Sequence, residues 1–187
     1  MPRRNIDVVS ATIITIPMEG DLLSGKSEIL NDYRLAVRSR RVDDEEARLQ
    51  GQGKAKFCIL SAGQELDQIA KVKPLQPGDW MRGYYRGGTE LLASGLTSVR
   101  EMIAQVLGDT GPNHDPASGG RMMGRHPGSR LLNYDGELRD LTAQINRASD
   151  VSSTGSQMPV ALGLARASKV FRDVPELAGY TQLSKGG

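Results

Sequence analysis

Twelve residues, GGRMMGRHPGSR at 119–130, hold four glycines, three arginines and one of only two histidines in the chain. Glycine at that density lets main chain approach a ligand closely, and guanidinium groups around it can meet an anion from several sides with paired N–H donors. The imidazole of His126 adds a group that can give or take a proton. A phosphate-bearing ligand and a solvent-exposed slack loop both fit this pattern. Two further stretches carry chemistry of the same kind. YYR at 84–86 sets phenols beside a guanidinium, suitable partners for phosphate oxygens, with the arginine stronger because it binds bidentately. VSSTGSQMP at 151–159 gathers hydroxyls ahead of a helix whose first turn suits Pro159, a natural cradle for an ion. Each stretch alone also has a plain reading: a turn, a loop and a serine-rich helix cap. His114 lacks a comparable setting and reads as surface.

The elements that must position these groups are mostly helical. From Ser27 to about Leu49 a charged helical pattern carries Ile29, Leu30, Tyr33, Val37 and Val42, with its Arg and Glu content predicted to be a solvated face, until GQGK stops it. A second helix carrying Leu66 and Ile69 is expected behind a Ser61 cap, ending at Pro74. LQPGDW is a turn. A third helix is marked by a capping box, Ser98 with Glu101, ahead of Met102, Ile103, Val106 and Leu107, and stops at Gly108. From Asp109 to Arg130 no periodicity is present, and an aperiodic stretch of about 20 residues in a compact domain is usually functional or disordered. A last helix follows Pro159, with Val160, Leu162, Leu164 and Ala167 expected to pack inward. Residues 1–26, with a β-like VVSATIITI, read as an N-terminal arm, and 27–187 as the domain.

With 187 residues the chain is long enough for one domain with a sizeable core. Hydrophobic content of 38% and aromatic content of 4% are low, so burial borrowed from a partner, and an oligomer, are expected. A net charge of +2 with interleaved signs argues against binding to nucleic acid or an anionic membrane. No apolar run reaches the length of a membrane span, and MPRRNIDVVS is no secretory signal. With one cysteine, Cys58, these features lead to an expectation of a soluble, cytoplasmic chain.

Taken in order, RSRRVDDEEARLQGQGK, GQE, PGDW, YYR, GGRMMGRH and SQMP…GLARASK, over roughly residues 30–170, resemble the alpha region of the thiamine-diphosphate-dependent 2-oxoacid dehydrogenases. These are the decarboxylating components of the branched-chain 2-oxoacid and pyruvate dehydrogenase complexes. The wording HDPASGGRMMGRH is similar to the form in which alpha and beta regions are fused in one polypeptide. The resemblance implies an α/β fold, a parallel sheet flanked by helices, of which this chain would hold the helix-rich N-terminal portion. It implies that Tyr85 and Arg86 meet the cofactor diphosphate. His126 would stand near the reactive carbon and handle the 2-oxoacid and the acyl transfer. Ser152 and the main chain of Thr154 would hold the aminopyrimidine, and Ser156 and Gln157 a potassium ion. Stand-alone alpha subunits often have proline where this chain has Ser153.

The family binds magnesium through GDG followed by a later asparagine, which suits a hard cation. This sequence has no such motif, and the glutamate that activates the cofactor belongs to the beta region. The metal ligands are therefore expected outside the chain, which reads as a fragment or split product, inactive alone. Its expected partners are a beta region or subunit and a lipoyl-bearing acyltransferase. The expected reaction is oxidative decarboxylation of a branched-chain 2-oxoacid such as 2-oxoisovalerate, with pyruvate as the alternative substrate. A non-catalytic, partner-binding module is the alternative function.

Overall fold

Helix α1 (Leu22–Gly51) runs for 30 residues without a proline and begins five residues before the start that the pattern suggests. The chain is described by a computed structural model that covers residues 22–111, 114–115, 120, 122, 124–133, 135–150 and 152–183. Most of the expected N-terminal arm lies outside the described residues. Past Gly51 the helix is closed by a turn in which Lys54 and Ala55 both donate to the Leu49 carbonyl, with Gly53 left-handed at φ 72°. Only the C-terminal half of α1 is covered. Ser39, Val42, Asp43, Glu46 and Leu49 form a buried stripe at three- and four-residue steps, whereas Ile29, Leu30 and Tyr33 face out.

Against that stripe pack α2 (Glu65–Val72), α3 (Gly88–Ala93) and α4 (Val99–Leu107). The N-cap of α2 is Gln64, without a side-chain cap, and not Ser61. Arg40 pairs with Glu65 in the first turn at 2.7 Å, Ile69 and Val72 turn inward, and Leu66 turns out. Helix α3 carries no sequence signal that predicts it. It is anchored by a buried hydroxyl pair, Thr89 with Ser39 of α1 at 2.7 Å, and by the Gln68 side chain, which accepts from the Glu90 N–H at 3.0 Å. Helix α4 matches its pattern: Ser98 Oγ accepts from Glu101 N at 3.2 Å, Glu101 Oε2 accepts from Ser98 N at 2.7 Å, and Gly108 ends the helix at φ 70°. Val106 packs with Leu49 and Ala55 to make the apolar centre, flanked by Ile103 and Cys58.

Strands β1 (Trp80–Arg82) and β2 (Asn146–Ala148) pair in parallel, Trp80 opposite Asn146 and Arg82 opposite Ala148. Helices with a small parallel sheet make the chain α/β. Between α4 and β2, no strand or helix forms among the described residues beyond an isolated antiparallel bridge, Leu132 with Leu138. Helix α5 (Gln157–Asp173) forms where expected but is not covered as expected, since none of its residues is buried. Val160 and Leu164 are half-buried, Ala167 is exposed, and Leu162 and Met158 are 73% and 79% exposed. No described helix is long and apolar enough to cross a membrane.

The largest departure from the sequence pattern lies in the charged run of α1. Asp43 and Glu46 are not on a solvated face: each is about as buried as the apolar centre, and both pair with Arg125, whose guanidinium is 1% exposed. Burial, and secondarily the neighbouring Asp43 carboxylate, push the Glu46 carboxyl up to about 7 against the pull of Arg125. Its Oε1 has no hydrogen-bond partner, so that oxygen can carry the proton. Between the ordinary carboxylate range and pH 7, the folded chain therefore holds a proton that the unfolded chain has lost. Stability through this group falls as pH rises across that window. Urea unfolding from pH 5 to pH 8 should show this fall, and Glu46→Gln should flatten it. An identical pH profile in the variant would refute the assignment.

Candidate functional site

Parallel pairing puts the C-terminal ends of β1 and β2 side by side, so the loops that follow them emerge together, the usual place for ligands in sheets of this kind. After β1 the chain turns through Gly83, with Gly87 N donating to the Tyr84 carbonyl at 2.8 Å, and presents Tyr85 and Arg86. After β2 it runs through Ser149 and Asp150 to the turn 152–156 that opens α5. The two loops touch: Tyr85 Oη and Thr154 Oγ1 are 3.0 Å apart. The glycine-rich segment makes the third wall, held beside β2 by Ser129 N donating to the Arg147 carbonyl at 2.8 Å.

Two buried arginines tie these loops together. Arg147 donates to the carbonyls of Pro127 and Tyr84 and lies 3.5 Å from Glu90. A Cβ added at Gly83 would come 2.5 Å from Arg147 Cζ, so a side chain there would push the guanidinium from its place. Arg125 is held by Asp43, Glu46 and Ser61 Oγ through its side chain, and its N–H donates to Gln105 Oε1 at 2.7 Å. Gly88 lies against the same guanidinium, where a Cβ would meet Ser61 Oγ at 3.0 Å and Arg125 Cζ at 3.1 Å. At Arg125, then, cation and glycine adjoin because the buried guanidinium lies close against the Gly88 backbone. That arginine is not free to meet an anion.

Its anchorage fixes His126, the next residue. Arg125 has φ 68°, and with Met122 and Ser152 it makes up the non-glycine positive-φ residues among those described, all in the loops of this site. Such backbone costs about 1–2 kcal/mol per residue and persists where surrounding contacts over-determine it. His126 Nδ1 lies 2.7 Å from the Gly124 carbonyl, which can only accept, so Nδ1 carries a proton. In the neutral ring Nε2 is then the acceptor, and it takes the Ser152 hydroxyl proton at 2.6 Å. Asp150 Oδ2 lies 3.7 Å from the same nitrogen.

Arg86 donates from Nη1 to the Leu60 carbonyl at 2.8 Å, and its own carbonyl accepts from Gln68. Its guanidinium is exposed, sits 5.9 Å from the Tyr85 ring centroid, and has no carboxylate partner among the described residues. A hydrogen bond with Thr154, and after it one with Tyr84, hold the Tyr85 hydroxyl below the ordinary tyrosine range. An exposed, uncompensated guanidinium beside a polarised phenol fits an anionic ligand with several oxygens.

Thus Tyr85, Arg86, His126, Ser152 and Thr154, singled out from sequence, come from three loops to one surface. Ser156 and Gln157 stand at its edge, but their oxygens serve the turn itself: Ser156 Oγ donates to the Ser153 carbonyl and Gln157 Oε1 accepts from Gly155 N, each at 2.7 Å. Sequence reasoning did not find Arg82, Glu90, Arg147 and Asp150, the buried charges beneath the surface. The one available signal was an Arg and an Asp close together in INRASD, within a segment short enough to be a strand. A cavity of about 320 Å³ borders the same glycine-rich segment at Pro127, Gly128 and Arg130, together with Leu91, Glu101 and Gln105, but none of Tyr85, Arg86, His126, Ser152 and Thr154 lines it. Among the described residues no cluster of three His, Cys, Asp or Glu could hold a metal.

Residues 33–178 match the dehydrogenase E1 component family. The chain is 28% identical over 160 residues to the 2-oxoisovalerate dehydrogenase subunit alpha of Bacillus subtilis (strain 168), covering 85% of this chain and 43% of that protein. It is 30% identical over 117 residues to the pyruvate dehydrogenase E1 component subunit alpha of Rhizobium meliloti (strain 1021), 59% of this chain and 33% of that one. With the mitochondrial 2-oxoisovalerate dehydrogenase subunit alpha of Caenorhabditis elegans it shares 30% over 129 residues, 69% of this chain and 26% of the other. The chain thus spans less than half the length of these curated relatives. With the family matched over most of its residues, the chain belongs to the dehydrogenase E1 component family and corresponds to the alpha region of its 2-oxoacid dehydrogenase members.

Proposed function

We propose that this chain forms the alpha-side wall of a thiamine diphosphate site in an enzyme that oxidatively decarboxylates a branched-chain 2-oxoacid, 2-oxoisovalerate or a close relative. The observation that carries the reading is the meeting of three loops at one surface, through Tyr85 with Thr154 and His126 with Ser152. Arg86 and Tyr85 suit the diphosphate: one offers an uncompensated guanidinium, the other a polarised hydroxyl. When bound, thiamine diphosphate supplies the electron-accepting ring that makes loss of carbon dioxide from a 2-oxoacid feasible. The chain's own part is to hold that cofactor and to keep a proton-active imidazole, His126, facing the site with Nε2 as the exchanging nitrogen. The magnesium ligands would come from a segment of the enzyme outside this chain, and a beta region would bring the glutamate that activates the cofactor. Since the Ser156 and Gln157 oxygens are engaged in their own turn, we assign no step to potassium.

Two of the relatives carry 2-oxoisovalerate in their names, which supports the branched-chain substrate; the Rhizobium relative supports pyruvate as the second reading. The test is to place the chain in a complete enzyme, joined to the segment that carries the magnesium ligands and to a beta region, with thiamine diphosphate and magnesium, and to compare acyl transfer to a lipoyl acceptor from 2-oxoisovalerate and from pyruvate. Transfer from neither would refute the proposal. In the same assembly, Arg86→Ala should weaken thiamine diphosphate binding by about 10- to 150-fold, the worth of one charge-assisted contact of roughly 1.5–3 kcal/mol, with saturating cofactor restoring much of the rate. Calorimetric titration reads the affinity directly, and unchanged binding would remove Arg86 from the diphosphate site.

A further inference from the structure

We infer that Asp150 is the positioning residue for His126: it sets the Ser152 turn that caps the imidazole Nε2, and it supplies the counter-charge for the protonated ring. The Asp150 side chain is fully buried. One oxygen, Oδ1, accepts from Arg82 Nη2 and from the Ser152 N–H, each at 3.2 Å. The second of these bonds is an aspartate side chain bonding main chain two residues on, the contact that stabilises tight turns. It holds Ser152 at φ 68°, a conformation serine does not favour, and so places Ser152 Oγ 2.6 Å from His126 Nε2.

The other oxygen marks Asp150 as more than a turn-former. Asp150 Oδ2 has no hydrogen-bond partner, and leaving a buried carboxylate oxygen unpaired is costly. It stands 3.7 Å from the only ring nitrogen of His126 not bound to main chain. In the neutral state Nε2 accepts the Ser152 proton and Oδ2 waits unpaired. When Nε2 takes up a proton, Ser152 Oγ becomes the acceptor, and the new positive charge lies beside the free carboxylate oxygen. The groups facing this pair are Arg82 at the end of β1, Arg147 of β2, Glu90 of α3 and the Tyr85 hydroxyl. Arg125, though adjacent in sequence, is committed to Asp43 and Glu46. Arg147 is opposed by Glu90, and Arg82 engages Asp150 through Oδ1 alone, so among the described residues Oδ2 is left toward the imidazole.

This inference rests on the reading of His126 as a proton-handling group, but its test needs no turnover. The chain has two histidines, so ring-carbon NMR of labelled histidine gives two titrations, and His114→Gln assigns them. Asp150→Asn keeps an oxygen for the Ser152 N–H while removing the charge. The His126 signals should move to lower pH in this variant while those of His114 stay in place, since an opposite charge beside the ring favours its protonated form. Should the variant fail to fold, the unsubstituted chain carries the same information. Its Asp150 carboxyl-carbon signal should move with the His126 midpoint, because the two groups share the proton's charge. A His126 midpoint unchanged in Asp150→Asn, or an Asp150 signal flat through the His126 transition, overturns the inference. If both NMR results hold while His126→Ala leaves turnover intact in the assembled enzyme, the catalytic reading fails and the positioning role of Asp150 stands.

Discussion

Arg125→Ala is expected to cost the chain about 3–5 kcal/mol of stability, the scale for breaking a buried ion pair from one side. The cost arises from what is left behind. Asp43 and Glu46 lie on the covered stripe of α1, and without the guanidinium two carboxylates face each other in the interior with only the Ser61 N–H bonded to Asp43 Oδ2. Glu46 already stands high with its partner present, so removal of that partner would drive it further toward the neutral form. Urea unfolding at neutral pH should show most of the loss, and the loss should shrink toward pH 5, where a proton on Glu46 relieves the repulsion. Replacing the triad together, Asp43→Leu and Glu46→Leu with Arg125→Met, should recover much of the stability, since well-packed apolar groups often match a buried ionic cluster. A loss below about 1 kcal/mol in Arg125→Ala would mean that the cluster is not what closes this interface.

His126→Ala carries the largest expected effect on chemistry. In the enzyme assembled with its beta region, the turnover number should fall by roughly 100-fold or more, the usual scale for removing a general acid or base. Affinity for thiamine diphosphate should stay nearly unchanged, and added cofactor should not restore the rate. The contrast with Arg86→Ala separates two uses of one surface: a contact made in the ground state, and a proton held at Nε2. Steady-state kinetics beside cofactor titration distinguishes them, and a His126→Ala enzyme that binds cofactor poorly yet turns over normally would exchange the two roles. Because His126 is set by the left-handed Arg125 before it, mild Arg125 variants should show part of the same rate loss.

What could be read from sequence was whatever is local. The Ser98–Glu101 box spans three positions and closes on itself, so its pattern is its structure. The candidate site residues could be named because they fall in three short motifs in order, and the structure brings Tyr85, His126, Ser152 and Thr154 together. The supports could not be named. Asp43 and Glu46 sit in a run of charges that looks like any solvated helix face, and the partner that buries them is 82 and 79 positions away. Arg147 and Asp150 carry the same letters as surface residues. Helix α3 opens on two glycines and ends within six residues, too short for a periodicity to declare itself. The pattern of α5 gave a helix but not its covered face, since periodicity reports which residues share a side and not what lies against that side.

The short parallel pair has a consequence for the order of assembly. Arg82 meets Asp150 across 68 positions and Tyr85 meets Thr154 across 69, so joining the two strand ends closes a long loop, an entropic cost on the order of 4 kcal/mol before any contact repays it. Three residues per strand repay little, and contacts so distant along the chain form slowly. The α1–α2 hairpin can collapse on near neighbours while the loops that bear Tyr85, Ser152 and His126 are still apart. A ligand that needs both strand-end loops at once meets them only on a chain whose last closure has been made, so capacity to bind becomes a report on completed folding.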